Sequence, residues 1–451
     1  MRQAGVNPIA IDVFGHYYDQ LVAGATGLIP EDSIEPLTDV AHLTDLSDPP
    51  ASDATRDRAR ALERTAIIKL NGGLGTSMGM DRAKSLLPVR DGLTFLDIIV
   101  TQVQAARQAT GARLPLIFMN SFRTATDTQA ALARYPDLPV PGIALDFLQS
   151  MEPKLEASTL APVDWPADPE LEWCPPGHGD LYPSLLQSGV LDGLIEHGYR
   201  YAFVSNADNL GASPSAAIAD WFAASGAPYA AEVCRRTSND RKGGHLAIRK
   251  SDRQLILRDT AQTAPRDMHH FTDEQRHRYF HTNNLWFDLV ALRSVLQQRH
   301  GVLGLPLIRN IKTADPTDPT SPQVVQIESA MGTAVEVFAG AQAIAVGRDR
   351  FLPVKTTNEL LLLRSDVYHL GQDGTLEQAG PIPRVDLDHH YRRIEDFERL
   401  FPAGPPSLRQ ATSLQVAGKW RFGADVTIQG EVSLAGSEGG QEIPAGAVLT
   451  G

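Results

Sequence analysis

A short apolar run that breaks into a cluster of glycines is the feature that most constrains the fold of this 451-residue chain. The run, residues 66–70, has the length and composition of a buried strand. Gly72, Gly73 and Gly75 follow it, and glycine lets the backbone turn sharply and approach a ligand closely. Successive amide N–H groups in such a turn can bind an anion, and Lys84 adds a point charge suited to a phosphate. We interpret the stretch as a cradle for nucleotide phosphates.

The spacing of the glycines excludes two better-known phosphate motifs. The NTPase loop G-x-x-x-x-G-K-[ST] needs a lysine directly after its last glycine, and here no lysine stands there. The dinucleotide fingerprint G-x-G-x-x-G does not fit, because the stretch from Gly73 through Gly75 to Gly79 is one residue too long. A tight strand-to-helix turn without a ligand is the alternative, and the loop alone does not decide between them.

Composition and charge narrow the class of protein. The chain is long enough for two or three domains, and its formal charge of −13 argues against binding to nucleic acid or an anionic membrane. We find no apolar run that could span a bilayer and no signal peptide. Cys174 and Cys234 are too few for a disulfide scaffold and are not spaced as a zinc site. We therefore expect a cytoplasmic protein.

Segments typical of strands and helices alternate through the first half of the chain. The predicted strands lie at residues 66–70, 114–119, 143–148 and 201–205, and the predicted helices at 94–107 and 126–134. This alternation predicts βαβ units and a largely parallel sheet. Ligands bind such sheets outside the carboxyl ends of the strands, where the glycine-rich turn, Asn120 and Gln149 fall.

Other segments carry weaker signals. The sequence predicts an amphipathic helix within residues 5–28, an extended linker over 29–36, a charged helix over 53–64 and the opening of another helix at 281–288. Residues 422–436 alternate small apolar residues with polar ones and glycines. Stacked turns of a β-helix and a small sandwich would both produce that pattern.

Three further motifs carry chemistry. Asn206 and Asp208 follow a predicted strand, where a carboxylate can hold Mg²⁺ or simply cap a turn. His178 stands between two glycines and can donate to a phosphate or hydroxyl, or be an ordinary loop histidine. Lys355 precedes a predicted helix, where it would not stabilise the helix dipole; it either shares an anion with the helix N-terminus or is solvated.

Several motifs in this order resemble the eukaryote-type UDP-glucose pyrophosphorylase (UTP–glucose-1-phosphate uridylyltransferase) family, with its loop L-N-G-G-L-G-T-S-M-G. The matching motifs lie at residues 70–79, 175–180, 206–211, 242–244, 282–286 and 350–357. The resemblance spans roughly residues 10 to 440, and six ordered motifs exclude a chance match.

The resemblance implies an α/β fold of the Rossmann-like, GT-A-like nucleotidyltransferase type. Its mixed sheet would carry helices on both faces, with a left-handed β-helix at the C-terminus. The domains would be a helical lead-in at 1–50, a nucleotide-binding catalytic domain at 51–375 and the β-helix at 376–451. The implied reaction is Mg²⁺-dependent transfer of uridylyl from UTP to glucose 1-phosphate, giving UDP-glucose and pyrophosphate. The resemblance leaves open whether the protein forms a homo-oligomer.

The resemblance also implies roles for individual residues. Lys84 and Lys355 would neutralise phosphate charge as catalytic residues, and Asp208 would hold the metal ion. The implied nucleotide contacts are Leu70, Asn71, Gly72, Gly73, Gln149, Gly177 and Asp208. The implied sugar-phosphate contacts are His178, Asn206, Asn283 and Asn284.

One departure and three alternatives remain. The family usually has Gly-Pro before the loop lysine, where this chain has Arg82 and Ala83; Arg82 either supplements the phosphate site or faces solvent. A broader UDP-sugar or UDP-N-acetylhexosamine pyrophosphorylase would keep the reaction and change the sugar, although Asn71, Leu74 and Ser77 argue against the latter. A non-catalytic nucleotide-sugar binding protein would keep only the fold. A dehydrogenase is disfavoured by the glycine spacing.

Overall fold

The computed structural model describes residues 1–46, 61–237, 240, 243–436 and 440–451. The predicted helix over 53–64 lies mostly outside these residues, as does Lys242 of the predicted 242–244 motif. Across the described part of the chain the α-helices are Pro8–Val22, Phe95–Thr110, Ala125–Leu132, Leu181–Gln187, Val190–Glu196, Ala216–Ser225, Met268–Phe271, Leu289–Gln298, Thr357–Arg364 and Ile394–Leu400.

Strands alternate with these helices in the first two thirds of the chain and dominate its end. In chain order they are β1 Ile34–Pro36, β2 Ala41–His42, β3 Thr65–Asn71, β4 Pro88–Arg90, β5 Leu93–Thr94, β6 Leu116–Asn120, β7 Asp146–Leu148, β8 Glu152–Pro153, β9 Leu155–Glu156, β10 Trp173–Cys174, β11 Tyr201–Asn206, β12 Tyr229–Arg235, β13 Gly244–Arg249, β14 Leu255–Asp259, β15 Tyr279–Asp288, β16 Ile308–Thr313, β17 Gln323–Glu328, β18 Gln342–Val346, β19 Tyr368–Leu370, β20 Leu376–Gln378, β21 Arg384–Leu387, β22 Ser407–Ala417, β23 Trp420–Phe422, β24 Thr427–Ala435, β25 Gln441–Ile443 and β26 Val448–Thr450.

A mixed sheet forms the centre of the molecule. Its main path runs β2-β18-β12-β15-β11-β3-β6-β7. β3 pairs in parallel with β11 and β6, and β6 with β7, as the alternation of strands and helices predicts. β15 runs antiparallel to both β11 and β12, so the sheet is mixed. The parallel strands bring the loops after β3, β6, β7 and β11 to one edge.

Helices pack on both faces of this sheet because its central strands are apolar on both sides. In β3, Ile67 belongs to one apolar core, whereas Ala66 and Ile68 belong to the other. The first core includes the helix Phe95–Thr110, and the second includes Leu289–Gln298. Strands buried on both faces read as continuous apolar runs, which is why these strands were predictable.

The stretch 281–288 corrects one prediction. It is part of β15 and does not open a helix; the helix Leu289–Gln298 begins only after Asp288, whose side chain accepts the N–H groups of Val290 and Ala291. A short apolar run does not distinguish strand from buried helix by its pattern alone, and here pairing with β11 and β12 decides.

The predicted linker over 29–36 is also more structured than expected. Glu31–Ser33 forms a 3₁₀ turn, and β1 pairs with β13. The buried carboxylate of Glu31 contacts Arg258, Arg276 and His277, which ties this segment to the sheet.

The C-terminal region consists of parallel strands. β21, β22, β24 and β26 pair side by side in one sheet, and β23 pairs in parallel with β25 in a second. Its apolar residues, Phe422 and Ile443 among them, belong to the same core as Leu96 of the helix Phe95–Thr110. No helix of the described ranges is both long and apolar enough to cross a bilayer.

Candidate active site

Two adjoining cavities lie where the loops after the parallel strands meet. The larger cavity, of about 290 Å³, is lined by these predicted residues: Leu70, Asn71, Gly72, Gly73, Lys84, Gln149, Gly177, His178, Asn206 and Asp208. The smaller cavity, of about 70 Å³, is lined among others by Asp259, His281, Asn283 and Lys355. His178, Asn206 and Asp208 line both. All the predicted site residues except Asn284 are therefore brought together.

The glycine-rich loop is shaped by its contacts with the neighbouring strand ends. A Cβ on Gly72 would lie 2.8 Å from Nε2 of Gln149, so only glycine lets the two meet without a shift. Ser121 donates its hydroxyl to the Gly72 carbonyl oxygen at 3.0 Å. The buried Asn71 amide donates to Oδ1 of Asn120 at 2.8 Å, which ties the ends of β3 and β6 together. These contacts hold the loop open toward the larger cavity.

Lys84 lies in the larger cavity despite the unusual residues before it. Its Nζ is 2.7 Å from Oδ2 of Asp208 and also donates to the carbonyl oxygen of Val354. Ala83 is fully buried, whereas the side chain of Arg82 is 66% exposed and lies 3.8 Å from Asp81. Of the two alternatives left open by the sequence, Arg82 therefore faces solvent.

His178 is placed by Gly177, whose φ is +77°. A Cβ on Gly177 would lie 2.6 Å from the Ser329 carbonyl oxygen, so the close approach requires glycine. Met331 donates its backbone N–H to Nδ1 of His178 at 2.8 Å. Because Nδ1 accepts, the ring is neutral and its proton is on Nε2; burial lowers the pKa of His178 and keeps it so. His178 is therefore a neutral donor.

Asn206 and Asp208 lie where β11 ends, and the segment that carries Lys355 is joined to them. The Val354 N–H donates to the Asp208 backbone oxygen at 3.2 Å, and Asn209 forms a bridge with Pro353. Thr356 caps the helix Thr357–Arg364, so Lys355 lies just before that helix's N-terminus, as predicted. The segments that carry Asp208 and Lys355 are thereby joined to each other at one edge of the sheet.

Asn283 and Asn284 are separated by the structure. Asn283 lines the smaller cavity, with a left-handed φ of +59°. Asn284 is fully buried: its amide donates to Glu232 and to the Arg350 carbonyl oxygen, and its oxygen accepts from Asn209. The side chain of Asn284 therefore forms hydrogen bonds beneath the cavities and does not line them.

Sequence reasoning missed three buried charges beneath the cavities. Lys69 donates to Oγ of Ser205 and to the Ala212 carbonyl oxygen, both at 2.7 Å, and burial together with the Arg350 charge lowers its pKa to about 7. Glu232 and Arg350 form a bidentate pair at 2.8 Å. Lys69, inside the apolar run 66–70, was the one sign of these buried charges in the sequence, because a charged side chain in a buried strand needs partners.

A carboxylate in the smaller cavity was also missed. Asp259 ends β14 and caps the turn that follows through the N–H of Ala261. Burial raises the pKa of Asp259, and the charge of Lys355 acts in the opposite direction. The smaller cavity thus combines an acceptor, Asp259, with the amide of Asn283 and the cation of Lys355.

Comparison with known proteins shows similarity over most of the chain. The family model described as UTP–glucose-1-phosphate uridylyltransferase matches residues 11–429. The enzymes of that name from Solanum tuberosum and Saccharomyces cerevisiae are 36% and 38% identical, covering 89% and 86% of this chain and 83% and 77% of theirs.

Solved structures give the same result. A solved structure of UDP-glucose phosphorylase from Trypanosoma brucei is similar to this chain, with a TM-score of 0.92 at 41% identity, covering 100% of this chain and 96% of that one. A UDP-glucose pyrophosphorylase mutant from Leishmania major in complex with UDP-glucose gives the same values. The chain belongs to the UTP–glucose-1-phosphate uridylyltransferase family.

Proposed function

We propose that this protein transfers uridylyl from UTP to glucose 1-phosphate, forming UDP-glucose and releasing pyrophosphate. The observation that carries the proposal is the pair of adjoining cavities that share His178, Asn206 and Asp208, in a chain of this family. A larger cavity and a smaller one suit a nucleotide and a sugar phosphate that must meet at a shared wall.

The reaction is an in-line displacement at phosphorus. An oxygen of the glucose 1-phosphate group forms a bond to the α-phosphorus of UTP, and the bond from that phosphorus to the pyrophosphate oxygen breaks. At neutral pH the attacking phosphate is already an anion, so no general base is required. The obstacle is the approach of two polyanions, and positioning with charge neutralisation is what the protein supplies.

In this proposal the larger cavity holds the nucleotide. Leu70, Gly72, Gly73 and Gly177 offer close backbone approach to uridine, and Gln149 offers its amide to the base. Lys84 leaves Asp208 to meet the triphosphate. Asn71 acts indirectly, since its buried amide is bound to Asn120 and Thr128.

The smaller cavity holds the sugar phosphate. His178 donates Nε2–H to its phosphate, and Asn206 contributes from the shared wall. Lys355 neutralises charge on both phosphates. Asn283 and Asp259 provide an amide and a carboxylate for the sugar hydroxyls, and such paired polar groups reject sugars that leave them unsatisfied.

We propose Mg²⁺ as the cofactor, with Asp208 as its protein ligand. Among the predicted residues that line the larger cavity, Asp208 alone carries a carboxylate, and its side chain is 22% exposed. One carboxylate plus phosphate oxygens is the donor set that Mg²⁺ prefers. When bound, the ion supplies positive charge to the phosphate oxygens.

The finer architecture is part of the same proposal. We propose domains at 1–50, 51–375 and 376–451, the last a left-handed β-helix, for which the all-parallel pairing of β21, β22, β24 and β26 is the support. A crystal structure would test its hand. We also propose a homo-oligomer, supported by the position of β26 at the edge of its sheet, where a second copy could pair with it; light scattering tests this.

A cytoplasmic location is likewise proposed. Its support is that both cysteines are free and buried. Cell fractionation tests it directly.

A panel of sugar 1-phosphates tests the function. Initial rates of pyrophosphate release are measured with UTP and Mg²⁺ and with glucose, galactose or N-acetylglucosamine 1-phosphate. Glucose 1-phosphate should be the preferred substrate. Preference for another sugar would support the broader UDP-sugar enzymes instead, and no turnover with any would leave a nucleotide-sugar binding protein.

A further inference from the structure

The strand that carries Asn283 is interrupted by a β-bulge. In the pairing of β12 with β15, Ala231 lies opposite Leu285 and Val233 lies opposite His281. Glu232 alone therefore faces the three residues between them. Such a bulge re-aims a side chain that a regular strand would point elsewhere.

Hydrogen bonds on the buried side hold this bulge in place. Thr282 donates its hydroxyl to the Glu232 backbone oxygen at 2.7 Å, and Asn284 donates its amide to the Glu232 carboxylate at 3.0 Å. Asn283, between them, takes the left-handed conformation and lines the smaller cavity. A non-glycine residue adopts that conformation only where its surroundings over-determine it, and Asn tolerates it best among side chains of its size.

His281 contacts Asn283 from within the protein. The ring is buried, its Nδ1 accepts the backbone N–H of Asn283 at 3.2 Å, and the side-chain amide of Asn283 lies 3.0 Å from the same nitrogen. It packs so tightly on Gly332 that a Cβ there would be 2.6 Å from Cε1. Burial lowers the pKa of His281 to about 4, so the ring is neutral near pH 7.

We propose that His281 is a positioning residue: its ring contacts both the backbone and the side-chain amide of Asn283 and thereby fixes the direction in which that amide faces the sugar hydroxyls. The inference rests on the proposed function. The amide of Asn283 and the carboxylate of Asp259 line the same cavity. The orientation of one amide thus decides which hydroxyl arrangement the smaller cavity accepts.

Kinetics of His281→Phe test the proposal, because phenylalanine keeps the ring and removes both nitrogens. The KM for glucose 1-phosphate should rise about tenfold, as the loss of an oriented hydrogen bond would cause, with the KM for UTP within about twofold of wild type. His281→Asn, whose side-chain amide reaches the position of Nδ1 and can accept the Asn283 N–H through its oxygen, should restore the sugar KM. The glucose-to-galactose preference should fall in His281→Phe and return in His281→Asn.

Two further variants separate positioning from a merely structural role. His245→Phe changes another buried histidine, in β13, that lines neither cavity, and its KM for glucose 1-phosphate should match wild type. In an Asn283→Ala background, His281→Phe should cause almost no further rise in the KM for glucose 1-phosphate, because the two side chains act as one unit.

Three outcomes would overturn the inference. They are an unchanged sugar KM in His281→Phe, an equal rise in the KM for UTP, or additive effects of the two substitutions. If His281→Phe does not fold, Asn283→Asp decides: it keeps the size of the side chain and loses the amide donors, so a wild-type sugar KM in that variant would reject a role of the Asn283 amide in sugar binding. A wild-type enzyme inactive on every hexose 1-phosphate would overturn the proposed function itself.

Discussion

At the scale of single residues, His178 shows how a backbone contact sets the chemistry of a side chain. The N–H of Met331 occupies its Nδ1, so protonation of the ring would break that hydrogen bond as well as bury a charge. The lowered pKa of His178 therefore means that its donor form persists through neutral pH. In the proposed reaction, His178 would act as a fixed hydrogen-bond donor.

Lys355→Ala should lower turnover by roughly 10²- to 10³-fold, because in the proposed reaction the lysine neutralises charge where the phosphates meet. Its melting temperature should stay close to that of wild type, since Lys355 is exposed. Steady-state kinetics and thermal unfolding measure both. Lys250→Ala is the matched control, an exposed lysine bonded to the Asp32 carbonyl oxygen outside both cavities. Near-normal turnover in Lys355→Ala would remove it from the mechanism.

Lys69 gives a pH-dependent prediction. Its folded-state pKa, about 7, lies below that of an unfolded lysine, so between pH 7 and 8.5 the unfolded chain binds more protons than the native one. Stability should then rise with pH, by up to about 1.4 kcal/mol per pH unit. Lys69→Met should abolish this slope in urea unfolding. A slope equal to that of wild type would show that Lys69 remains protonated throughout.

At the scale of elements, the loops that line the two cavities were predictable because each motif is contiguous in the sequence. The glycine-rich turn after β3 and the Asn206–Asp208 turn after β11 are examples. The bidentate pair of Glu232 with Arg350 was not predictable, since the two residues come from separate elements and meet only in the folded chain. The bulge in β15 was missed for the same reason: Glu232, on another strand, creates it.

Gly177→Ala should disturb the site by displacing the turn that carries His178. The added Cβ would meet the backbone of Ser329, so His178 must shift; we expect a loss of stability of roughly 1–3 kcal/mol and a marked rise in KM for glucose 1-phosphate. Gly189→Ala is the control, with a φ of +76° but no atom within 4 Å of the new Cβ. It should lose stability without changing KM. Equal kinetic effects in both would contradict the placement of His178 by Gly177.

At the scale of the whole molecule, one apolar core joins the central sheet to the C-terminal parallel strands. It includes Leu96 and Phe118 as well as Leu414 and Phe422. The family resemblance implied a change of architecture at residue 376 but gave no sign of this shared core, because contact between distant segments leaves no local pattern. The proposed boundary between residues 375 and 376 therefore separates two parts of different architecture whose apolar side chains pack in one core.

The shared core predicts that both parts unfold together. Hydrogen exchange measured by mass spectrometry across a urea series should give one midpoint for peptides covering β6 and β22, because exposing either would leave apolar surface of the other in water. Loss of protection in β22 at clearly lower urea would show that the C-terminal strands form an independent unit.

The contact between Lys84 and Asp208 has a thermodynamic consequence. Each is the other's counter-ion, so a metal ion arriving alone must displace the ammonium group from the carboxylate. A triphosphate that draws Lys84 away frees that carboxylate, so nucleotide and Mg²⁺ should bind with positive heterotropic coupling. Calorimetric titration should show weak Mg²⁺ binding without UTP and much tighter binding with it. Asp208→Asn should erase the difference, and equal Mg²⁺ affinity with and without UTP would contradict the coupling.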